Sequence, residues 1–293
     1  MIPDAVMHEL RYIEVATARK MRTPRVGPFT SRLRGDGFDF DELQPYRPGD
    51  EVRRIDWNVT ARLDAPFVRH THAERELNMM IAVDVSRSMD LGSSRHSKRE
   101  AMMFVTASLL FSALSTQVST GFLAFSDRVV VSRPPRRTRG AAWTILEQCW
   151  SAPAGSGRTA IVPAVRHLTR ALKRMTMVFL VSDFLTDEDL FGGPDLAMLA
   201  ARHDVIAVIP EDPLERELPA GPGYIRVRDL ESGRHADVDL GPASRRRYAA
   251  EARRRRESLA NAFYRVPMEH LFVPTDASAV EPLLSFFATR IRR

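Results

Sequence analysis

Two hydrophobic rhythms alternate along most of this chain. Short, nearly continuous apolar runs occupy 77–84, 120–125, 177–183 and 204–209, each bounded by polar or turn residues. Runs of that length read as strands buried on both faces. Between them lie longer stretches, 97–115, 141–150 and 161–173, where apolar residues recur at helical spacing or fill every side. These read as helices, and 97–115, apolar almost all round, reads as a buried one. A further helix over 186–201 is interrupted near Gly192, Gly193 and Pro194, and Pro210 stops the strand at 204–209. Strands alternating with helices predict a parallel-rich sheet covered on both sides.

Both ends depart from this alternation. Residues 5–20 place Leu10, Ile13 and Ala16 or Thr17 on one side, which predicts a leading helix. A turn-rich segment dense in Gly, Pro and Asp covers 24–66, and 67–74 loosens into a strand. The run at 120–125 joins a second strand, 128–131, through the tight Ser126-Asp127 turn. Past Pro210, 224–229 and 234–240 flank Glu231-Ser232-Gly233 and read as a hairpin. An Arg-studded helix over 243–264 carries Tyr248, Ala252, Leu259 and Phe263 as its apolar stripe. After a short edge strand at 271–273, a last helix over 276–290 aligns Val280, Leu283, Leu284 and Phe287, with Asp276 as its cap. The expected organisation is an N-terminal region, 1–75, and a main domain, 76–293.

Composition narrows the class. With 44% apolar and 27% charged residues, the 293-residue chain is ordinary for a globular protein with a sizeable core. Its net charge of +6 is modest, the basic residues are mostly Arg, and runs of them stand at 133–139, 245–247 and 253–256. Such runs can contact nucleic acid or acidic lipid. No zinc finger or aromatic-interleaved basic platform accompanies them, so solvated faces are expected and no nucleic-acid partner. Cys149, the single cysteine, excludes an intrachain disulfide, and its apolar helical setting marks it as a core residue. Residues 1–11 carry acids and lack an apolar stretch, so no secretory signal is expected there. The longest apolar stretch, 101–114, is shorter than the roughly 20 residues a membrane span needs. A cytoplasmic protein without membrane insertion is expected.

The candidate chemistry lies at strand ends. Asp84 closes the first run and is followed by Ser86 and Ser88; Asp183 closes a second; Thr159 stands between them in a Gly-rich loop. Ligands gather beyond the carboxyl ends of parallel strands. Oxygens without an adjacent Cys or His suit a hard cation, Mg²⁺ first, with Mn²⁺ or Ca²⁺ as alternatives. This set resembles the metal-ion-dependent adhesion site of von Willebrand factor A domains: Asp-x-Ser-x-Ser, then Thr, then Asp. The family usually has Gly before the Thr and often Gly after the last Asp, where this chain has Arg158 and Phe184.

A second constellation precedes it: Gly35-Asp36-Gly37-Phe38, then Tyr46, Gly49, Asp50, Arg53, Asp56, Trp57 and Arg62. Acids and Arg residues alternating with aromatics suit an ion-pair network that fixes a loop-rich segment as a structural collar on the main domain. Trp57 is expected to be largely buried in it. The spacing Tyr-x-x-Gly-Asp-x-x-Arg-x-Ile-Asp-Trp closely resembles the bacterial "domain of unknown function 58" family, from about Gly35 to the C-terminus, including the run Asp212 to Pro219. The resemblance implies an α/β fold: a von Willebrand A-like doubly wound sheet, mostly parallel with one antiparallel edge strand. A loop-rich N-terminal extension and a hairpin insertion at about 222–241 complete the expectation. It also implies partnership with a MoxR-type AAA+ ATPase or that ATPase's client in chaperone-like assembly or maturation. Many relatives carry two N-terminal membrane helices, and this chain looks like the short soluble form.

Functionally, two carboxylates and three neutral hydroxyls leave a divalent ion incompletely neutralised, so an acidic side chain of a partner can complete its shell. Arg87 and Arg158, inside the two metal loops, are placed to add charge-assisted contacts to that partner. A non-enzymatic adaptor is therefore expected. The competing reading is a Mg²⁺-dependent phosphoester hydrolase or phosphotransferase with Asp84 as nucleophile. It is weakened because such enzymes typically use Asp-x-Asp, where Ser86 stands here. Metal-assisted hydrolysis would also need a general base, and neither Asp90 nor Asp187 is compelling. A basic nucleic-acid-binding protein is the further alternative.

Overall fold

The computed structural model describes residues 2–21, 42–46, 55, 57–63, 65–70, 78–136, 139–153, 159–230 and 233–291. The chain divides into two compact units, Met1–Thr30 with Leu77–Arg293, and Ser31–Glu76. The leading helix belongs with the main unit and not with the segment that follows it.

In the main unit, a six-stranded sheet has the order β10-β7-β6-β3-β4-β5. Its strands are β3 (Asn78–Asp84), β4 (Ser119–Phe125), β5 (Val129–Arg136), β6 (Thr176–Val181), β7 (Asp204–Glu211) and β10 (Glu269–Pro274). All neighbours are parallel except β4 and β5, so the single antiparallel edge strand is present as expected. Pro134 and Pro135 sit in β5, an edge where missing backbone donors cost little. β7 runs through Pro210 to Glu211, beyond the expected stop. The reason is register: pairing with β6 ends at Val208, and only β10 continues alongside Pro210.

The alternation of side chains divides each strand between two cores. Met79, Ile81 and Val83 of β3 face one core, with Phe122, Phe179, Ile206 and Val208. Met80 and Ala82 face the other, with Leu123, Val178, Leu180 and Ala207. The first core is closed by α1 (Asp4–Met21), α3 (Lys98–Ser115), α4 (Arg139–Ser151) and α9 (Val280–Ile291). The second is closed by α5 (Val162–Ala171), α6 (Pro194–Arg202) and the end of α8 (Pro242–Arg265). This is the doubly wound arrangement expected. α3 is buried on nearly every side because α1, α4 and α9 all pack against it. The residues 186–193, expected as helix, are irregular, and α6 starts only at Pro194, an N1 proline after Gly193. α9 likewise starts at Val280; Asp276 is not its cap but pairs with Arg216 at 2.7 Å.

The hairpin falls where expected, β8 (Tyr224–Arg228) pairing antiparallel with β9 (His235–Asp239). α8 buries Ala262 and Phe263 and leaves most of its Arg residues in solvent. Arg256, itself exposed, lies over the Phe272 ring at 4.0 Å. A four-residue helix, α7 (Pro213–Arg216), follows β7, and the Tyr248 hydroxyl donates to its Leu214 carbonyl at 2.7 Å.

The second unit holds β1 (Glu42–Pro45) antiparallel to β2 (Phe67–His70), and α2 (Trp57–Leu63). Ile55 bridges to Val68, which is buried, and the Tyr46 amide donates to the Pro66 carbonyl at 2.7 Å. Trp57, expected to be buried, is 67% exposed. It opens a seven-residue helix in a unit too small to bury every large side chain. Arg62 is exposed, and Gly49, Asp50, Arg53 and Asp56 lie outside the described residues.

α1 docks through Val6, Leu10 and Ile13, buried at helical spacing, with Ile2 buried just ahead of it. Leu10→Ala should therefore lower stability by about 2–5 kcal/mol, read as the chemical-unfolding midpoint of the full chain. An unchanged midpoint would show that α1 is not integral to the core.

Candidate metal centre

β3 and β6 are parallel neighbours, so Asp84 and the Ser182-Asp183 pair emerge at the same edge of the sheet. Hydrogen bonding continues one step past the strands: the Val85 amide donates to Phe125 at 2.8 Å and the Ser182 amide to Val208 at 3.1 Å. The chain then turns sharply. The Ser86 amide donates back to Asp84 Oδ1 at 2.9 Å, and a 3-10 turn over Arg87–Asp90 follows. This fold-back brings the Ser86 and Ser88 hydroxyls to 3.0 Å from each other. Across the strands, Ser182 Oγ donates to Asp84 Oδ2 at 2.7 Å.

Thr159 is buried, and its carbonyl accepts from the Thr186 hydroxyl at 3.0 Å. The next amide, Ala160, donates to Ser126 just past β4 at 2.8 Å. Glu188 Oε2 accepts from the Ile161 and Val162 amides at the start of α5, 2.5 and 3.0 Å away. The Thr159 segment is thereby fastened between the end of β4 and the chain after Asp183. Arg87 is exposed beside Ser86 and Ser88, whereas Arg158 lies outside the described residues. Asp90 is paired with Arg99 at 2.6 Å, which removes it as a candidate base. Asp187 is exposed.

The electrostatics of the two acids differ. Burial, then the charge of Asp183, push the Asp84 carboxyl up to about 7, against the opposing bonds from Ser86 and Ser182. Asp183 has a cation of its own: Lys98 Nζ lies 2.7 Å from Asp183 Oδ2 and 2.8 Å from Glu215 Oε1. Burial works to lower the lysine's pKa, but the charges of Asp183 and Glu215 outweigh it and hold the pKa above its ordinary value. Glu215 in turn accepts from the Asp212 amide at 2.9 Å, as half of a capping box on α7.

Asp212 is a second anchor. It accepts from the Ser93 amide at 2.9 Å, the Ser93 hydroxyl, the Leu214 amide at 3.0 Å and the Thr275 hydroxyl at 3.1 Å. The loop between Ser88 and α3 is so fixed to the ends of β7 and β10. Burial would raise the Asp212 pKa, but these donors together hold it below the ordinary carboxylate value.

An all-oxygen set with a fully buried, charge-starved Asp84 fits a hard divalent cation: a positive charge there would relieve the repulsion that raises Asp84. The set is lean in carboxylates. Among the described residues, no group of three or more His, Cys, Asp or Glu side chains is arranged to hold a metal. Sequence reasoning missed Ser182, Lys98 and Glu188. Ser182 adjoins Asp183 and was open to notice; Lys98 reads only as a charge at a helix start.

The fold and site thus define an α/β domain with an acidic and hydroxyl-lined site at the ends of its central strands. The chain belongs to the family described as "Protein of unknown function DUF58", whose model matches residues 42–258. An uncharacterized protein of Mycobacterium bovis is 32% identical over 286 residues, covering 97% of this chain and 89% of the relative. An uncharacterized protein of Mycobacterium avium is 29% identical over 166 residues, 54% of this chain and 94% of the relative. Similar solved structures include an aerotolerance-related membrane protein from Bacteroides fragilis, at TM-score 0.44 and 16% identity, covering 74% of this chain and 98% of that one. The von Willebrand A domain of SpRpn10 reaches TM-score 0.43 at 13% identity, covering 72% and 94%. Among the described residues, no helix is long and apolar enough to cross a membrane.

Asp212→Asn replaces an acceptor of four bonds with a group that can serve only some of them. It should cost about 2–4 kcal/mol near neutral pH. Because the folded carboxyl titrates below its unfolded value, that difference should hold above about pH 5 and shrink as pH falls through 4. Parallel urea titrations across that range check it, and a pH-independent difference would contradict it.

Proposed function

We propose that this protein is a non-enzymatic adaptor that binds an acidic side chain of a protein partner through a divalent ion held by Asp84, Ser86, Ser88, Thr159 and Asp183. The observation that carries this reading is the meeting of Asp84, Ser86, Ser88 and Ser182 beside Asp183 at one edge of the sheet. When bound, the ion supplies an open coordination position for a carboxylate. The chain's own groups do the rest. Ser86 and Ser88 present neutral oxygens that leave the ion's charge unspent. The sheet keeps their spacing fixed, and exposed Arg87 adds a charge-assisted contact for an acidic surface.

The state of Asp84 supports binding over catalysis. It has no exposed surface, and both of its oxygens are engaged, by the Ser86 amide and the Ser182 hydroxyl. A nucleophile in a phosphoryl transfer must itself touch the phosphorus, whereas a carboxylate can hold a hard cation through an intervening water. The partner proposed is a MoxR-type AAA+ ATPase or that ATPase's client, in chaperone-like assembly or maturation. Its warrant is the resemblance carried by the Tyr46 to Arg62 signature, in a chain that belongs to the same family. The ion proposed is Mg²⁺, with Mn²⁺ or Ca²⁺ as substitutes.

Calorimetry of the full chain should show Mg²⁺ binding that Asp84→Ala abolishes. Co-precipitation with a MoxR-type ATPase from the same organism should succeed in Mg²⁺ and fail in EDTA, in Asp84→Ala and in Asp183→Ala, with Arg158→Ala weaker. Association that ignores EDTA and all three substitutions would remove the bridging mechanism.

A further inference from the structure

Lys98 has no part in the oxygen set assigned above, yet it is paired with one of its members, Asp183. Its side chain has no exposed surface, although it belongs to the first turn of α3, where a lysine ordinarily reaches into solvent. The helix does not explain the placement, because a cation at a helix N-terminus opposes the macrodipole. Removing an ammonium and two carboxylates from water is costly, and only close, well-aligned pairing offsets it. The reason for the burial must lie in its two partners, Asp183 Oδ2 at 2.7 Å and Glu215 Oε1 at 2.8 Å.

We infer that Lys98 is a tethered cation that shares Asp183 with the divalent ion of the Asp84 site and so sets how tightly that ion is held. The inference rests on the metal reading above. Asp183 Oδ1 accepts from the Leu185 amide at 3.1 Å and Oδ2 from Lys98, so both of its oxygens already have donors. An ion that takes Asp183 as ligand must share an oxygen with the ammonium or displace it toward Glu215. Glu215 is positioned for that exchange. Its Oε2 is pinned by the Asp212 amide at 2.9 Å, which leaves Oε1 directed at Lys98. Lysine and divalent ion thus compete for Asp183, and Glu215 draws the lysine away. The site stays a moderate binder that exchanges its ion.

Two variants pull in opposite directions. Lys98→Met removes the competitor and leaves Asp183 and Glu215 uncompensated, so Mg²⁺ and Mn²⁺ affinity should rise roughly 10–100-fold, the size of effect that outer partners have on metal sites. Glu215→Gln removes the holder, so the ammonium settles on Asp183 and affinity should fall by about tenfold. A purely structural role would lower affinity in both variants or change it in neither.

The measurement is calorimetric titration of the folded full chain with MgCl₂, and with MnCl₂ followed by loss of the free-ion paramagnetic signal. Opposite shifts support the tether. Any other pattern in a wild type that binds overturns the tether and leaves the metal bridge intact. Wild type that binds neither ion while Lys98→Met binds both removes the bridge and keeps the tether. Absence of binding in all three proteins overturns both. Should Lys98→Met fail to fold, Glu215→Gln decides alone, since its partly exposed side chain keeps its shape: unchanged or higher affinity overturns the tether.

Discussion

Two carboxylates end adjacent parallel strands, and both are buried. In so poorly hydrated a place their mutual repulsion must be met by fixed dipoles or by a cation. Asp84 is met by dipoles, from the Ser86 amide and the Ser182 hydroxyl, and these fall short, which is why its carboxyl titrates near neutrality. Asp183 is met by a full charge, Lys98. Much of the surrounding architecture follows from seating that lysine. It needs Glu215, Glu215 is held by the capping box with Asp212, and Asp212 gathers Ser93 and Thr275 from the ends of two other segments. One electrostatic requirement thereby reaches from the centre of the sheet to β10, α7 and the loop that carries Ser86 and Ser88.

The scaffold makes those distances dependable. β3 and β6 are packed between two apolar cores, and a closely packed interior does not yield to small displacements. α3, which positions Lys98, starts with a reciprocal cap, the Ser97 amide donating to Glu100 at 2.8 Å and the Glu100 amide to Ser97 Oγ at 3.2 Å. It is then enclosed by α1, α4 and α9. Lysine and strand ends are therefore held as parts of one rigid body, a better foundation for a binding site than loops resting on one another.

What could be read in the sequence was what is local. The period-two split of β3 between two cores, the apolar character of α3 and the fold-back of Ser86 onto Asp84 are all written in neighbours within a few residues. What could not be read depends on partners far along the chain. Lys98 acquires meaning only from residues 85 and 117 positions away. Asp276 fits the pattern of a helix cap, yet Arg216, sixty residues earlier, takes its carboxylate. Pro210 has the character of a strand breaker, and only the register with β10 shows why it is tolerated. Trp57 has the size of a core residue, but burial requires a core, and α2 belongs to a unit of few residues.

Phe184 shows how this chain departs from the adhesion-site pattern it resembles. Its φ of +55° is the left-handed conformation that glycine adopts at little cost and a bulky residue at about 1–2 kcal/mol. Two features offset that strain. The Phe184 amide donates to Ser182 Oγ at 3.0 Å, and the ring is buried edge-on against Phe263 of α8, with centroids 5.0 Å apart. Glycine at this position would give the same turn with a looser backbone. Phenylalanine instead fastens the chain beside Asp183 to the second core. Since Ser182 Oγ also donates to Asp84, the aromatic contact with α8, the strained turn and the strand-end carboxylates form one continuous structure. The departure from glycine therefore stiffens the site and leaves its oxygens in place.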